Sequence, residues 1–372
     1  MCPDTEDALA GMITAADGPF QIVGGGTRGF TVQGAALSTA ALSGISLYEP
    51  GAMTLVVRAG TPMAEVDAAL AVEGQRLAFE PMDHRAVLGT TGEPTIGGAV
   101  AANVSGPRRI QVGACRDFLL GVRFVDGQGR VLKNGGRVMK NVTGYDLVKL
   151  MAGSYGTLGV MTELSLKVMP VARSMGTLVA EGLSDAAAVQ ALSAALGTPF
   201  DVSGAAHVQG GRTMVRLEGF AASVAYRAAA LQAILAPFGA WALEMDNAQD
   251  WQNVRDVAAL HGDGDLWRLS VKPSDAPGLV ARVSGARAVY DWAGGLIWLA
   301  VPEGTDVRTA LGVFGGHATL IRADIGTKQR LGVFQPQPAP LAAIEAGLRA
   351  RFDPRGLFNP GVMHSAVQEK AG

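Results

Sequence analysis

The run Gln21-Ile22-Val23-Gly24-Gly25-Gly26-Thr27-Arg28-Gly29 takes an apolar strand into a loop almost free of side chains. Successive backbone N–H groups in such a loop can converge on an anion, and the missing side chains let a phosphate approach them. Gly24, Gly26 and Gly29 also fit the spacing GxGxxG, but a Rossmann unit requires a helix directly after the loop. Residues 30–48 instead carry Gly34, Gly44 and several Ser and Thr residues, which favours a backbone nest over a Rossmann turn or a plain β-turn. A second segment, from Glu93-Pro94-Thr95-Ile96-Gly97-Gly98 through Asn103 to Gly106, again sets small residues among hydroxyls. Two loops exposing amides suit the two charges of a diphosphate, gripped from opposite sides. A third segment, 153–163, runs from tight glycine turns through Gly159 into an apolar stretch at Val160, offering its backbone to an adenine edge. Three such loops in one half of the chain point to a dinucleotide cofactor.

The elements that must position these loops are short. Leu55-Val56-Val57-Arg58, the run from Leu119 to Val125 before the turn Asp126-Gly127, and Gly159 to Val168 read as strands. Residues 62–73 read as a helix with Thr61 as N-cap, Pro62 at its first position and Gly74 just past its end. After Met169-Pro170 glycine thins out and longer Ala/Leu patterns begin, placing a domain boundary near residue 170. Beyond it, strands are expected at Thr213–Glu218, Leu266–Val271, Leu296–Val301 and His317–Ala323 in one sheet, with helices at 223–235 and 340–352. The fold class is α+β, with domains 1–170 and 171–372.

Length and composition agree with a folded two-domain chain: 372 residues, 48% hydrophobic and 17% charged, where a domain takes roughly 100 to 200 residues. The net charge of −2, with scattered Lys and Arg, provides no footprint for nucleic acid. Cys2 and Cys115 fit neither a disulfide framework nor a zinc spacing, and Cys115 reads as a buried, inert thiol. The acidic stretch from Asp4 to Asp7 is unlike the basic start of a signal peptide, and the longest uncharged run, 29–48, is too polar to span a bilayer. A reducing, cytoplasmic location is therefore expected. A mean hydropathy of +0.23 allows a surface partly covered in a complex, or simply many Ala and Val residues.

Taken together, the Gly24–Thr27 loop, Thr95–Gly106, Met139-Lys140-Asn141-Val142-Thr143-Gly144-Tyr145-Asp146-Leu147, Gly153–Glu163, and Phe352-Asp353-Pro354 through Asn359-Pro360-Gly361 resemble the vanillyl-alcohol-oxidase (PCMH-type) FAD-binding family. Tyr48-Glu49-Pro50, Leu77-Ala78-Phe79-Glu80-Pro81 and Leu266-Trp267-Arg268-Leu269-Ser270 bring the resemblance closest to a branch that serves in bacterial glycolate oxidase complexes. The resemblance implies a PCMH-type FAD-binding domain of two α+β subdomains followed by a smaller α+β cap domain, whose final segment 352–361 returns to the flavin through Asn359. It implies cofactor contacts at Gly24, Gly25, Gly26 and Thr27, at Thr95, Gly97, Gly98 and Asn103, and at Gly144, Tyr145, Gly159 and Val160. Some members tether FAD through a histidine in the first loop. Here Thr27-Arg28-Gly29 stands there and the first histidine is His84, so FAD is expected to be noncovalent. The implied partners are a larger FAD-binding glycolate oxidase subunit and an iron–sulfur subunit, with a small 2-hydroxy acid as substrate and peripheral association with the inner membrane through the complex. Two scattered cysteines exclude an iron–sulfur cluster in this chain.

Oxidising a 2-hydroxy acid on a flavin requires a cation for the carboxylate and help with the hydroxyl proton. Metal-assisted relatives pair two histidines on one strand. Here His84, His207, His261, His317 and His364 form no close pair, and His261-Gly262-Asp263-Gly264-Asp265 reads as a loop rather than a metal site. Arg216 and Arg268, on expected strands, read as surface ion pairs or as carboxylate partners, and Lys140 and Tyr145 as either flavin contacts or packing. The sequence identifies no acid or base. Three classes stay open: an FAD subunit of a glycolate-oxidising complex, a stand-alone FAD-dependent 2-hydroxyacid or sugar-alcohol oxidoreductase, and a scaffold that has lost its flavin.

Overall fold

The computed structural model describes residues 1–29, 32–138 and 144–363. Among the described residues, the first part of the chain builds an antiparallel sheet in the order Ile45–Glu49, Thr54–Arg58, Val160–Lys167, Leu119–Val125, Val131–Gly135. Alternation along these strands buries Leu55, Val57, Val122, Phe124, Leu164 and Leu166 with Val66 and Leu70 of helix Met63–Val72. Beside it, strand Phe20–Val23 pairs in parallel with Ala35–Ser38. Helix Glu6–Thr14 closes that pair with Leu9 and Ile13, packed against Phe20, Leu37, Val125 and Val160. The first glycine loop therefore leaves the end of a strand fixed on both sides.

Between Pro170 and Ser174 the chain passes to an eight-stranded antiparallel sheet, counted among the described residues. Its order is Ala242–Met245, Ser174–Glu181, Arg212–Gly219, Val202–Val208, Arg287–Asp291, Leu296–Val301, Asp265–Val271, Gly316–Arg322. One face buries Leu178, Val215 and Leu217 under helices Asp185–Leu196 and Ala221–Leu235. The other face carries Arg216, Glu218, Trp298 and Arg268 toward the first unit. The four strands expected in this half all lie in this one sheet.

Several local expectations need correction. Helix Met63–Val72 has Pro62, not Thr61, at its N-cap, because the Thr61 hydroxyl donates to Arg58 O and accepts from Gly44 N–H. Helix Ala221–Leu235, continued by the turn Ala236–Phe238, is long and apolar enough to cross a membrane by composition. Its stripe of Val224, Ala228, Leu231 and Leu235 is nevertheless buried in the core beneath the sheet. The last helix, Ala339–Phe352, does not stay with the second unit: Leu348 and Phe352 pack on the first core, with the Phe352 ring 6.0 Å from that of Phe124. The C-terminal part of 171–372 thus returns to the first unit, where Phe358 bridges strand Phe20–Val23.

A buried ion lattice joins the eight-stranded sheet to loops of the first unit. Arg216 donates from both terminal nitrogens to Glu80 at 2.9 Å, and Arg108 grips Glu218 at 2.8 and 2.9 Å while its backbone N–H meets Glu80 at 2.7 Å. Arg76 adds a contact to Glu218 at 2.7 Å. The expectation of a surface ion pair at Arg216 is therefore overturned, since this residue is only 1% exposed. Burial alone pushes both glutamates up, but Arg216 and Arg108 outweigh it and hold them below the ordinary carboxylate range.

Removing one member leaves the others buried and unpaired, so Arg216→Met is expected to cost about 3–5 kcal/mol in urea unfolding at neutral pH. Because the folded-state values are lowered, this gap from wild type is complete above about pH 5 and closes as pH falls below the ordinary glutamate value of about 4.3. A gap that stays constant or widens in acid contradicts the lattice account.

Candidate cofactor site

A cavity of about 390 Å³ opens where the first glycine loop, the Thr95 segment, the 153–161 turn and the cap meet. Gly24, Gly25, Gly26, Thr27, Thr95, Gly97, Gly98, Gly159, Val160 and Asn359 all line it. Asn103, Gly144 and Tyr145 do not. Asn103 turns away to accept the Arg116 N–H at 2.9 Å, and Tyr145 is 88% exposed. Lys140 lies outside the described residues, as does His364.

The cradle is built by backbone pressed on backbone. A Cβ at Gly25 would overlap the Glu93 carbonyl, and one at Gly92 would overlap the carbonyl of Gly25, so neither position tolerates a side chain. Gly26, at φ +72°, turns the loop into the left-handed region with open space around it. The N–H groups of Gly24, Gly25, Gly26 and Thr27 meet no acceptor among the described residues, whereas the Thr27 carbonyl accepts from Thr90 Oγ1 at 2.9 Å. Four free amides in a row, facing a cavity, form an anion nest.

The second segment plays a different part from the expected amide clamp. It is a short helix, Ile96–Ala101, whose first amides are already used: Ile96 N–H on Thr61 O, Gly97 N–H on Ala59 O and Gly98 N–H on Thr95 Oγ1. Its contribution is a wall of small residues at Gly98, Ala101 and Ala102. Asn359, at φ +44°, accepts from Ile22 N–H at 2.8 Å and donates to Tyr155 O at 2.7 Å. It thereby ties the strand that launches the nest to the turn on the far side of the cavity.

Sequence reasoning passed over the charged lining. Arg28, whose guanidinium makes no hydrogen bond or ion pair with a described residue, supplies a cation inside the cavity. His84 lines the wall and is pushed down to about 3 by burial, then by Arg28 and by Arg268, so it is neutral at physiological pH. Arg255, anchored on Asp256 at 2.6 Å, and Tyr155, its ring 5.0 Å from Phe334, close the cap side. Isolated between unrelated neighbours in the chain, these residues carry no local pattern. His261, Asp263 and Asp265 do loop work: His261 Nε2 meets Asp256 O at 3.0 Å, and Asp265 accepts from Gly304 N–H at 2.8 Å. Burial pushes the Cys115 thiol up and leaves it protonated.

The model of an FAD binding domain matches residues 1–135. Glycolate oxidase subunit GlcE of Escherichia coli is 36% identical over 360 residues, covering 94% of this chain and 93% of that protein. The chain belongs to the GlcE family. Glycolate oxidase subunit GlcD of Bacillus subtilis is 34% identical over 145 residues, 39% of this chain and 27% of that protein. A p-cresol methylhydroxylase with substrate bound superposes with a TM-score of 0.69 over 97% of this chain and 87% of its own, at 12% identity, which shows the fold. Free amides, a cationic lining and glycine-only contacts all fit an FAD diphosphate.

A Cβ at Gly98 meets only Thr95 Oγ1, at 3.2 Å, so an aspartate fits there sterically while its charge faces the cavity. Gly98→Asp is expected to fold with a wild-type far-UV circular dichroism spectrum and to retain under a tenth of the flavin. Full flavin occupancy in this variant moves the diphosphate elsewhere.

Proposed function

We propose that this chain is the FAD-binding subunit of a glycolate-oxidising complex that converts a small 2-hydroxy acid, glycolate, to its 2-oxo acid, glyoxylate. The observation that carries the reading is the run of free amides at Gly24–Thr27, opening on a cavity, in a chain that follows GlcE over 94% of its length. Relatives named as subunits imply partner subunits. We take these to be a larger FAD-binding subunit and an iron–sulfur subunit, which hold the chain peripherally at the cytoplasmic face of the inner membrane.

FAD supplies the hydride-accepting ring and passes electrons onward. The chain's own residues bind and orient it: the nest holds the diphosphate, Arg28 adds charge, Asn359 fixes the walls, and the cap, locked by the Glu80–Arg216 lattice, keeps water out. Neutral His84 presents an uncharged imidazole to the cavity. A second reading, an oxidoreductase competent by itself, is favoured by Arg109 and Arg268, whose guanidiniums meet at the Trp292 ring and form no ion pair with a described residue.

With no histidine in the first loop, the bond to flavin is expected to be noncovalent. Acid denaturation and filtration should release all yellow colour as FAD by mass, and flavin retained on the polypeptide would contradict this. Anaerobic mixing with millimolar glycolate separates the two readings. The isolated chain should bleach its flavin slowly and turn over fully only with its partners. Bleaching within about a second, near the median enzyme turnover of about 10 s⁻¹, makes the chain a complete dehydrogenase instead.

A further inference from the structure

Two guanidinium groups from different halves of the molecule meet at one indole. Arg109, at the start of helix Arg109–Val112 in the first unit, has its guanidinium carbon 4.3 Å from the ring centroid of Trp292. Arg268, on strand Asp265–Val271 of the cap, lies 5.4 Å from the same centroid and 6.0 Å from that of Trp298 on the paired strand. Neither guanidinium makes a hydrogen bond or ion pair with a described residue. Asp117 and Asp291 act on them only at longer range.

The indole that gathers them is held with more constraints than packing requires. Trp292 and Ala293 both sit at positive φ, +53° and +57°, a strained conformation for residues that carry a side chain. The Trp292 indole N–H donates to Gly106 O of the first unit at 3.0 Å, and its backbone N–H donates to Asp291 Oδ1 at 2.7 Å. Aromatic rings attract cations, but two like charges at one ring repel each other, and an enclosed cation without a counterion is costly. Each guanidinium is held below its ordinary range, first by burial and then by a neighbouring cation. His317, on the sheet face shared with Arg268, is lowered by desolvation and by both arginines. The charge of Arg268 also reaches His84 and Tyr155, which line the cofactor cavity.

An anion seated between the two forks would relieve the repulsion and turn a strained cluster into a charge-assisted one. Arg216 cannot serve, because Glu80 already occupies both of its terminal nitrogens. We infer that Arg109 and Arg268, set by Trp292, form a carboxylate site where the cap meets the first unit, in which this subunit holds a small 2-hydroxy or 2-oxo monocarboxylate. The assignment rests on the FAD-subunit reading and goes beyond it, since it gives this chain a substrate or product site of its own.

The test is calorimetric titration of the flavin-loaded chain with oxalate, a carboxylate that cannot be oxidised at a hydroxyl, repeated on flavin-free protein. One oxalate should bind per wild-type chain. Arg268→Gln and Arg109→Gln should each weaken binding at least tenfold while retaining wild-type flavin, and Arg268→Lys should recover part of the affinity. Equal oxalate affinity in wild type and both Gln variants overturns the site, even if the variants shift the flavin's reduction potential. So does the absence of any oxalate binding to wild type. A wild-type chain that retains no flavin contradicts the functional reading instead, and oxalate binding to that flavin-free chain still decides the carboxylate site.

Discussion

The lattice of Glu80, Arg108, Arg216 and Glu218 fixes how the two halves of this molecule face each other. Replacing such a lattice with apolar residues is often no worse for net stability, because desolvating four charges consumes most of the Coulombic gain. What it confers is geometry. A small slide of the cap over the first unit would separate Arg216 from Glu80 and Arg108 from Glu218 together, leaving buried charges exposed to a medium that cannot solvate them. The cap therefore has one low-energy seat, and in that seat Arg268 stands at the indole of Trp292, which is bonded to Gly106 of the first unit.

Within that frame the cofactor site is made by subtraction. Gly25 and Gly92 lack side chains so that two stretches of backbone can touch, and the amides of residues 24–27, which line the cavity, have no acceptor among the described residues. The helix Ile96–Ala101 spends its own amides on Thr61, Ala59 and Thr95 and so holds the loop rather than the ligand. The C-terminal segment then crosses back, and Asn359 bonds to both sides of the cavity at once. Nest, wall and clasp come from three distant parts of the chain, which explains why the last helix returns to the first core.

The glycine loops were legible in the sequence because glycine clusters have a steep backbone meaning. Leu55–Arg58, Leu119–Val125 and Leu296–Val301 were legible because apolar alternation or β-branched runs survive in them. Ser174–Glu181 and Val202–Val208 were not, since Gly176, Gly204, Ala205 and Ala206 blur the period. Asn359 came only from resemblance, and the same resemblance named Asn103, Gly144 and Tyr145, which do not line the cavity. The hardest to read were the arginines. Arg216 and Arg268 alternate with buried residues on strands covered on both faces, so period alone cannot tell a lattice member from a free cation. That distinction depends on Glu80, more than a hundred residues away in sequence from Arg216 and opposite it in space.

Amide hydrogen exchange with and without FAD reads the central claim at the atoms concerned. The account predicts that flavin slows exchange at Gly24, Gly25, Gly26 and Thr27, while Ile96, Gly97 and Gly98, already hydrogen-bonded, are protected equally in both states. Slowing at Ile96–Gly98 with residues 24–27 unchanged would contradict it.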